Sequence, residues 1–388
     1  MLPTAVRQSP FVMGSVSALV FCHDLEYLRD ILGLEAILFP IAMRRHFRAA
    51  AVIGLTVALV VFFLRSADWV SVLLEMRQAR HDLVVAAFAA MTASFLVRVK
   101  RWQLLLVPLG RVGFEAAASA TAIGFATNAL LPGRLGEIVR PYLLARREHL
   151  GASAALATIV VERFLDLITL VLLLGVFVLF FGDALPKTDE GLLAGLKAGG
   201  LLAGVVAVVG LAFVTVAARE PQRVNTGVAV LERRLLGRTG SSVSRFIVRF
   251  VCGFAIAAKP DLLLRAFGWS VAVWGFVAVA AWCTCAAFGI LLPPSGSLLL
   301  TALMALGVAV PTPGGVGGFH AVVQVGLTSF FLAQVNAAAG VTIVLHVVAF
   351  GPVTVAGLIW MVREGVTIRG AVGLASSGRQ DLSVGAGK

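Results

Sequence analysis

The sequence predicts an all-α polytopic membrane protein, and three observations carry that prediction. Of its 388 residues, 59% are hydrophobic and 13% are charged, against about a quarter charged in a soluble domain. Mean hydropathy is +0.97. Apolar runs long enough to cross a bilayer recur along most of the chain. These runs are continuous Leu, Val, Ala and Phe rather than alternating strands, which excludes a β-barrel.

Residues 1–42 mix acids with apolar residues and differ from the rest of the chain, so they read as an N-terminal extension, with Met43 as the expected working start. Met43-Arg-Arg-His-Phe-Arg is the positive flank of a signal-anchor. Span one is expected at 47–64. The stretch 65–82, with three bases and three acids, then reads as an exterior amphipathic turn. Span two, 83–97, returns to Arg98, Lys100 and Arg101, a cluster that reads as cytoplasmic. Further spans are expected at 155–181, 199–217, 262–287 and 338–361. The last is followed by Arg363, Arg369, Arg379 and Lys388, which puts both termini in the cytoplasm of a cell (inner) membrane. Residues 366–388 form a flexible tail.

Net charge is 32 − 20 = +12, and its position matters more than its size. Eight bases against two acids fall in 219–259, which reads as a cytoplasmic loop drawn to anionic inner-leaflet lipid rather than to nucleic acid. Segments such as Ser244-Arg-Phe-Ile-Val-Arg-Phe-Val suggest amphipathic helices lying on that leaflet. Cys283 and Cys285 stand inside an apolar run and read as packing residues.

Two stretches do not fit as simple spans. Residues 112–145 leave and rejoin the cytoplasmic side and break at Asn128-Ala-Leu-Leu-Pro-Gly-Arg134-Leu-Gly-Glu137. Residues 298–333 do the same from the opposite side and break at Pro311-Thr-Pro313-Gly314-Gly315-Val-Gly317-Gly318. About six full spans plus two oppositely oriented re-entrant hairpins make an inverted repeat, whose interrupted segments point to a transport site. Eight complete spans with proline kinks have the same parity.

Ionisable groups in hydrocarbon cost about 2.5–3.5 kcal/mol each on insertion scales. Arg134, Glu137 and Arg140 lie in the first hairpin, and Glu162, Arg163 and Asp166 in the span after it. The six sum to 3 − 3 = 0. Glu162 and Asp166 share a helix face, and Arg163 reaches Asp166 at i+3. Two readings stay open: a structural latch, or a polar cavity where arginines meet a lipid phosphate through their planar fork. The glycine-rich turn is not a Walker A, because the Gly-Lys-Ser/Thr end is missing. His320 and His346 lie within the last two membrane elements, with His320 a candidate proton carrier. No metal, nucleotide or other cofactor motif is present in the sequence.

The motifs Asn128 to Arg140, Val161-Glu-Arg-Phe-Leu-Asp166 and Pro311 to Phe319 resemble the flippase-like transmembrane domain of the lysylphosphatidylglycerol synthetase family. The match extends to its stand-alone relatives, named as dolichol-phosphate-glucose synthetase-like or hopanoid-associated membrane proteins. The resemblance covers about 45–365 and implies movement of a lipid between leaflets. On that analogy Asn128, Arg134, Glu137, Arg140, Glu162, Arg163 and Asp166 line or gate the path. Relatives often carry an acid just after the glycine-rich turn, where this chain has His320. The bifunctional synthetases add a soluble aminoacyltransferase domain after the membrane part. Here only a short Gly/Ser tail follows Arg363, so lysyl transfer is not expected.

The expected function is therefore a lipid translocator for an anionic or phosphate-bearing headgroup. A membrane-embedded transferase on a polyprenyl-phosphate or phospholipid donor, or a non-catalytic subunit of a lipid-assembly complex, remains open at this level. So do a homo-oligomer and a lipid-biosynthesis partner.

Overall fold

The computed structural model describes residues 53–65, 67–131, 134–181, 190–220, 250–251, 253–310 and 312–366. The N-terminal extension, most of the basic loop, Pro132, Gly133, Pro311 and the tail after 366 lie outside the described residues. Every regular element described is helical, and the residues from Thr56 onward form one compact unit.

Among the described residues there are eleven α-helices. α1 (Ile53–Arg65) and α2 (Trp69–Gln78) meet at a 76° bend. α3 (His81–Leu106), α6 (Ala152–Phe181), α7 (Glu190–Arg219), α8 (Pro260–Ala287) and α11 (Val335–Arg363) are long and apolar. At 1.5 Å per residue each can cross a hydrocarbon core of about 30 Å. Among the described residues there are five such helices, or six if the bent pair is one span, which makes the chain a multi-pass membrane protein.

The remaining helices are short. α4 (Phe114–Leu130) and α5 (Gly136–Arg147) pack on each other as one hairpin. α9 (Gly296–Ala309) and α10 (Gly318–Phe331) form the other. Their arms are about 18–26 Å long, too short to span alone.

Both arm pairs close on glycine. A Cβ on Gly136 would overlap the Gly124 carbonyl oxygen, and one on Gly318 would stand 2.8 Å from the Gly307 oxygen. Positive φ at Gly314 (60°), Gly315 (72°) and Gly317 (89°) turns the second tip, a backbone that favours glycine. At the first tip Asn128 Oδ1 accepts from Gly136 N at 2.7 Å.

The two halves, α3 to α6 and α8 to α11, repeat one packing scheme. In each, the first span supports its hairpin and the second arm packs on the last span. The first arm packs on the last span of the other half. α3 and α8 run antiparallel: Arg80 N donates to Ala287 O at 2.9 Å, and Ser94 Oγ to Val273 O at 3.0 Å. The hairpins open to opposite ends of α11. Arg147, closing hairpin one, pairs with Glu364 at 3.1 Å, whereas α10 enters the other end of α11 through Leu332–Gln334. The tips meet midway, where a Cβ on Gly314 would touch the Ala129 oxygen at 3.1 Å and Arg134 Nη2 donates to Val308 O. This is the expected inverted repeat.

Three expectations need correction. The stretch 65–82 is not a turn but holds α2, which Asp68 caps by accepting from Val70 N and Ser71 Oγ. Val72 then buries against Ala339 of α11. Span 83–97 is the first part of a 26-residue helix that runs on to Leu106, so Arg98 and Arg101 stand inside it rather than at its end. The end of the expected inner-leaflet loop, Gly253–Ala258, is a buried 3-10 turn: Phe254, Ile256 and Ala257 join the core.

Candidate functional site

The polar centre of the molecule lies where α3, α5, α6 and α8 converge. A helix rises 1.5 Å per residue, which puts Glu162 about 15 Å inside α6 and Arg101 about 8 Å short of the end of α3. Side chains four apart share a face, so Glu162 and Asp166 look at α3 together. Arg98 and Arg101, three apart, look back.

Glu162 is fully buried, and its Oε1 is the hub. Arg163 Nη2 stands 2.8 Å away, Arg101 Nη2 3.0 Å, Arg140 Nη1 3.2 Å and Arg98 Nη1 3.8 Å. Asp166 Oδ1 accepts from Arg101 Nη1 at 2.6 Å and from Trp274 Nε1 at 3.0 Å. Its Oδ2 lies 3.4 Å from Arg163 and 3.6 Å from Arg98. Arg101 also donates to Ser270 Oγ at 2.6 Å, and that hydroxyl donates its own proton to Ala266 O. Aromatic faces hold the guanidiniums from the other side. Arg140 lies 3.8 Å over Trp102, whose Nε1 is fixed by Thr158. Arg98 lies between Phe125 and Trp274.

The balance of charge is 4 − 2 = +2 for Arg98, Arg101, Arg140 and Arg163 against Glu162 and Asp166. Glu137, half-buried near Arg163, would lower it to +1 but forms no ion pair among the described residues. Buried donors and acceptors also remain unused: Nε and Nη2 of Arg140, and Oε2 of Glu162, have no hydrogen-bond partner. A buried polar group left unmade costs about 1–3 kcal/mol; the Arg140 nitrogens are donors free to meet an anion's oxygens, whereas Glu162 Oε2 is an acceptor that calls for a donor. Arg163, with 43% of its side chain exposed, opens the cluster outward.

The structure thus brings together Arg140, Glu162, Arg163 and Asp166, as the sequence predicts. It does not bring Arg134 or Glu137 into the ion pairs. Arg134 is exposed at φ 53° and ties the two hairpin tips, and Asn128 holds the base of its own turn. Arg98 and Arg101 were missed because a basic cluster closing an apolar run reads as interfacial. The signal was the length of the run: 83–97 is about 22 Å, too short to cross a bilayer. With them included the cluster is positive, not neutral.

The second half places His320 and His346 side by side, ring centroids 4.7 Å apart, with Pro313, Gly314, Gly315, Gly317 and Gly318 shaping the approach to His320. Cys283 and Cys285 are free and buried. Among the described residues no group of three or more His, Cys, Asp or Glu is placed to hold a metal.

Fold and site together define a class: a polytopic membrane protein with two inverted hairpins and a buried, positively charged centre where one of them meets three long helices. Comparison with known proteins places it more closely. A family model described as the lysylphosphatidylglycerol synthase TM region matches residues 49–357, and the chain belongs to that family. It is also similar to the glycosyltransferase AglD of Haloferax volcanii, 25% identical over 392 aligned positions. That match covers 90% of this chain and 61% of AglD, so the chain spans about three-fifths of that relative's length.

Proposed function

We propose that this protein is a lipid translocator that receives a phosphate-bearing, anionic headgroup at the Arg98/Arg101/Arg140/Arg163 cluster and passes it between leaflets along the meeting line of the two hairpins. The observation that carries the reading is the excess of positive charge beside unused, buried N–H groups of Arg140. A guanidinium fork suits a phosphate because it makes two parallel hydrogen bonds. The carboxylates keep the arginines spaced and ionised while no headgroup is bound. The inverted hairpins supply the motion, by exposing the centre first to one side and then to the other. Positive charge after α11 and in 219–259 orients the protein with both termini in the cytoplasm of the cell (inner) membrane, where the basic loop engages anionic lipid.

Family membership supports a membrane-lipid role. Glycosyl transfer is the activity in the name of AglD, and about two-fifths of that protein lies outside the match. A transferase acting on a lipid phosphate would use the same arginines, and one experiment separates the two. The full chain is reconstituted into liposomes with a panel of headgroup-labelled phospholipids, and outer-leaflet accessibility is followed. Equilibration of anionic lipids is expected, slowed about tenfold or more by Arg140→Ala or Glu162→Gln, in line with loss of one charge-assisted hydrogen bond of about 1.5–3 kcal/mol. Absence of movement for every lipid, with melting intact, rejects the translocator in favour of the transferase. Movement that survives both substitutions makes the cluster a latch.

A further inference from the structure

The packing scheme that places Arg140 on Glu162 in half one places another pair in half two. α6 carries Thr158-Ile-Val-Val-Glu162, and its counterpart α11 carries Thr342-Ile-Val-Leu-His346. His346 therefore stands in the register of Glu162. Arg140 lies eight residues after the tip proline Pro132, and His320 seven residues after the tip proline Pro313. In each half the second arm of the hairpin thus presses one nitrogen-bearing side chain onto one ionisable group of the last span. Half one uses full charges; half two uses two imidazoles.

Their surroundings fit a proton better than an anion. Nδ1 of both rings is buried without a hydrogen-bond partner. Aromatic rings flank the pair. Phe350 stacks on His346 at 4.6 Å, Phe319 meets it at 5.4 Å, and Phe63 of α1 meets His320 edge-on at 4.9 Å. Ring faces attract a cation, which favours an imidazolium in this box.

The surrounding elements bring little charge of their own. α9 has no ionisable residue, and α10 has only His320. α11 adds only Arg363, about 25 Å beyond His346. α4 has Glu115 at its far end, α1 has exposed Arg65, and α2 has Glu75 and Arg77. α3 contributes His81 and Asp82 at its start and Lys100 beside the arginine cluster, and α8 contributes Asp261, Arg265 and the two cysteines. No carboxylate among the described residues lies within ion-pairing distance of either ring.

We propose that the His320–His346 pair is the proton site of the translocator, taking up one proton for each singly anionic headgroup that binds at the arginine cluster and moving it in the same direction. The reading rests on the translocator function. Its charge balance is simple. One headgroup carries −1 and one proton +1, so the loaded molecule reorients without moving net charge, and the proton leaves on the side where the headgroup leaves. Two coupled imidazoles titrate as a pair, in two steps that belong to both rings.

The test uses the full chain in liposomes with a labelled anionic phospholipid, at equal pH and with one side acidified. The parent is expected to move lipid away from the acidic side at least five times faster than at equal pH. In His320→Asn and in His346→Asn the ratio of the two rates is expected to fall to about one, whatever the absolute rate. A parent ratio of one, or variants that keep the parent's ratio, overturns the proposal and leaves the translocator standing. If no lipid moves at all, the translocator fails, and the pair is judged by imidazole nitrogen resonances of the parent in nanodiscs. Two linked titration steps, merging into one when either histidine is replaced, keep the proton site. Two independent titrations, or none, remove it.

Discussion

In half one the second arm of the hairpin meets the last span through Arg140 and Glu162, inside a net of six ionised groups. In half two the corresponding arm meets its span through His320 and His346, inside a box of phenylalanines. The scaffold around the two pairs is the same, down to the glycine contact that closes each hairpin. The difference teaches that fold and chemistry are separable in this molecule. Helix lengths, small residues and tip geometry recur in both halves, whereas the residues set between arm and span do not. One half holds permanent charge, and the other holds groups whose charge follows pH.

The largest expected effect tests the closeness of the two hairpins. In hairpin one a methyl group at position 136 would meet backbone, which cannot turn aside. Gly136→Ala is therefore expected to abolish the folded species in size-exclusion chromatography from detergent. Gly318→Ala faces a milder clash of 2.8 Å and is expected to cost about 1–3 kcal/mol, read as a lowered melting temperature. Equal damage from both would show that the hairpins are more alike than their glycine contacts indicate.

Charge gives the next contrast. Arg101→Met leaves buried carboxylates short of a partner and is expected to destabilise by roughly 3–5 kcal/mol. His320→Phe, an exchange of rings in an aromatic box, is expected to stay within about 1.5 kcal/mol. A large loss from the second variant would mean that the histidine holds half two together as firmly as the arginine holds half one. The smallest effect concerns support for Arg140. Trp102→Phe keeps a ring under the guanidinium but loses the bond to Thr158, for about 1 kcal/mol in denaturant unfolding.

Much of this was legible in the sequence. Runs of Leu, Val and Ala defined the class, and the broken motifs around Pro132 and Pro313 located both hairpins. The i+4 spacing of Glu162 and Asp166 foretold their shared face. The partners Arg98 and Arg101 were not legible, because positive charge at the end of an apolar run satisfies the interface rule as well as it satisfies an internal ion pair. Only the course of α3 to Leu106 separates the two. The meeting of His320 with His346 depends on how α10 lies on α11, a matter of crossing geometry and glycine contacts that no period in the chain encodes. α2 was hidden by its mixed charge, although Asp68 followed by Ser71 is a cap signal.

The crowding at a single oxygen, Glu162 Oε1, has a consequence for turnover. Four guanidiniums share it, the nearest at 2.8 Å and the farthest at 3.8 Å. On the proposed function, a headgroup entering through the unused Arg140 nitrogens would also compete with this carboxylate for the guanidiniums it already holds, and the carboxylate would reclaim its donors when the headgroup left. Net affinity is then the difference between two similar sets of ion pairs, small even though each set is strong. A carrier needs that combination: enough attraction to draw a charge out of water, and a built-in rival that keeps it from becoming trapped.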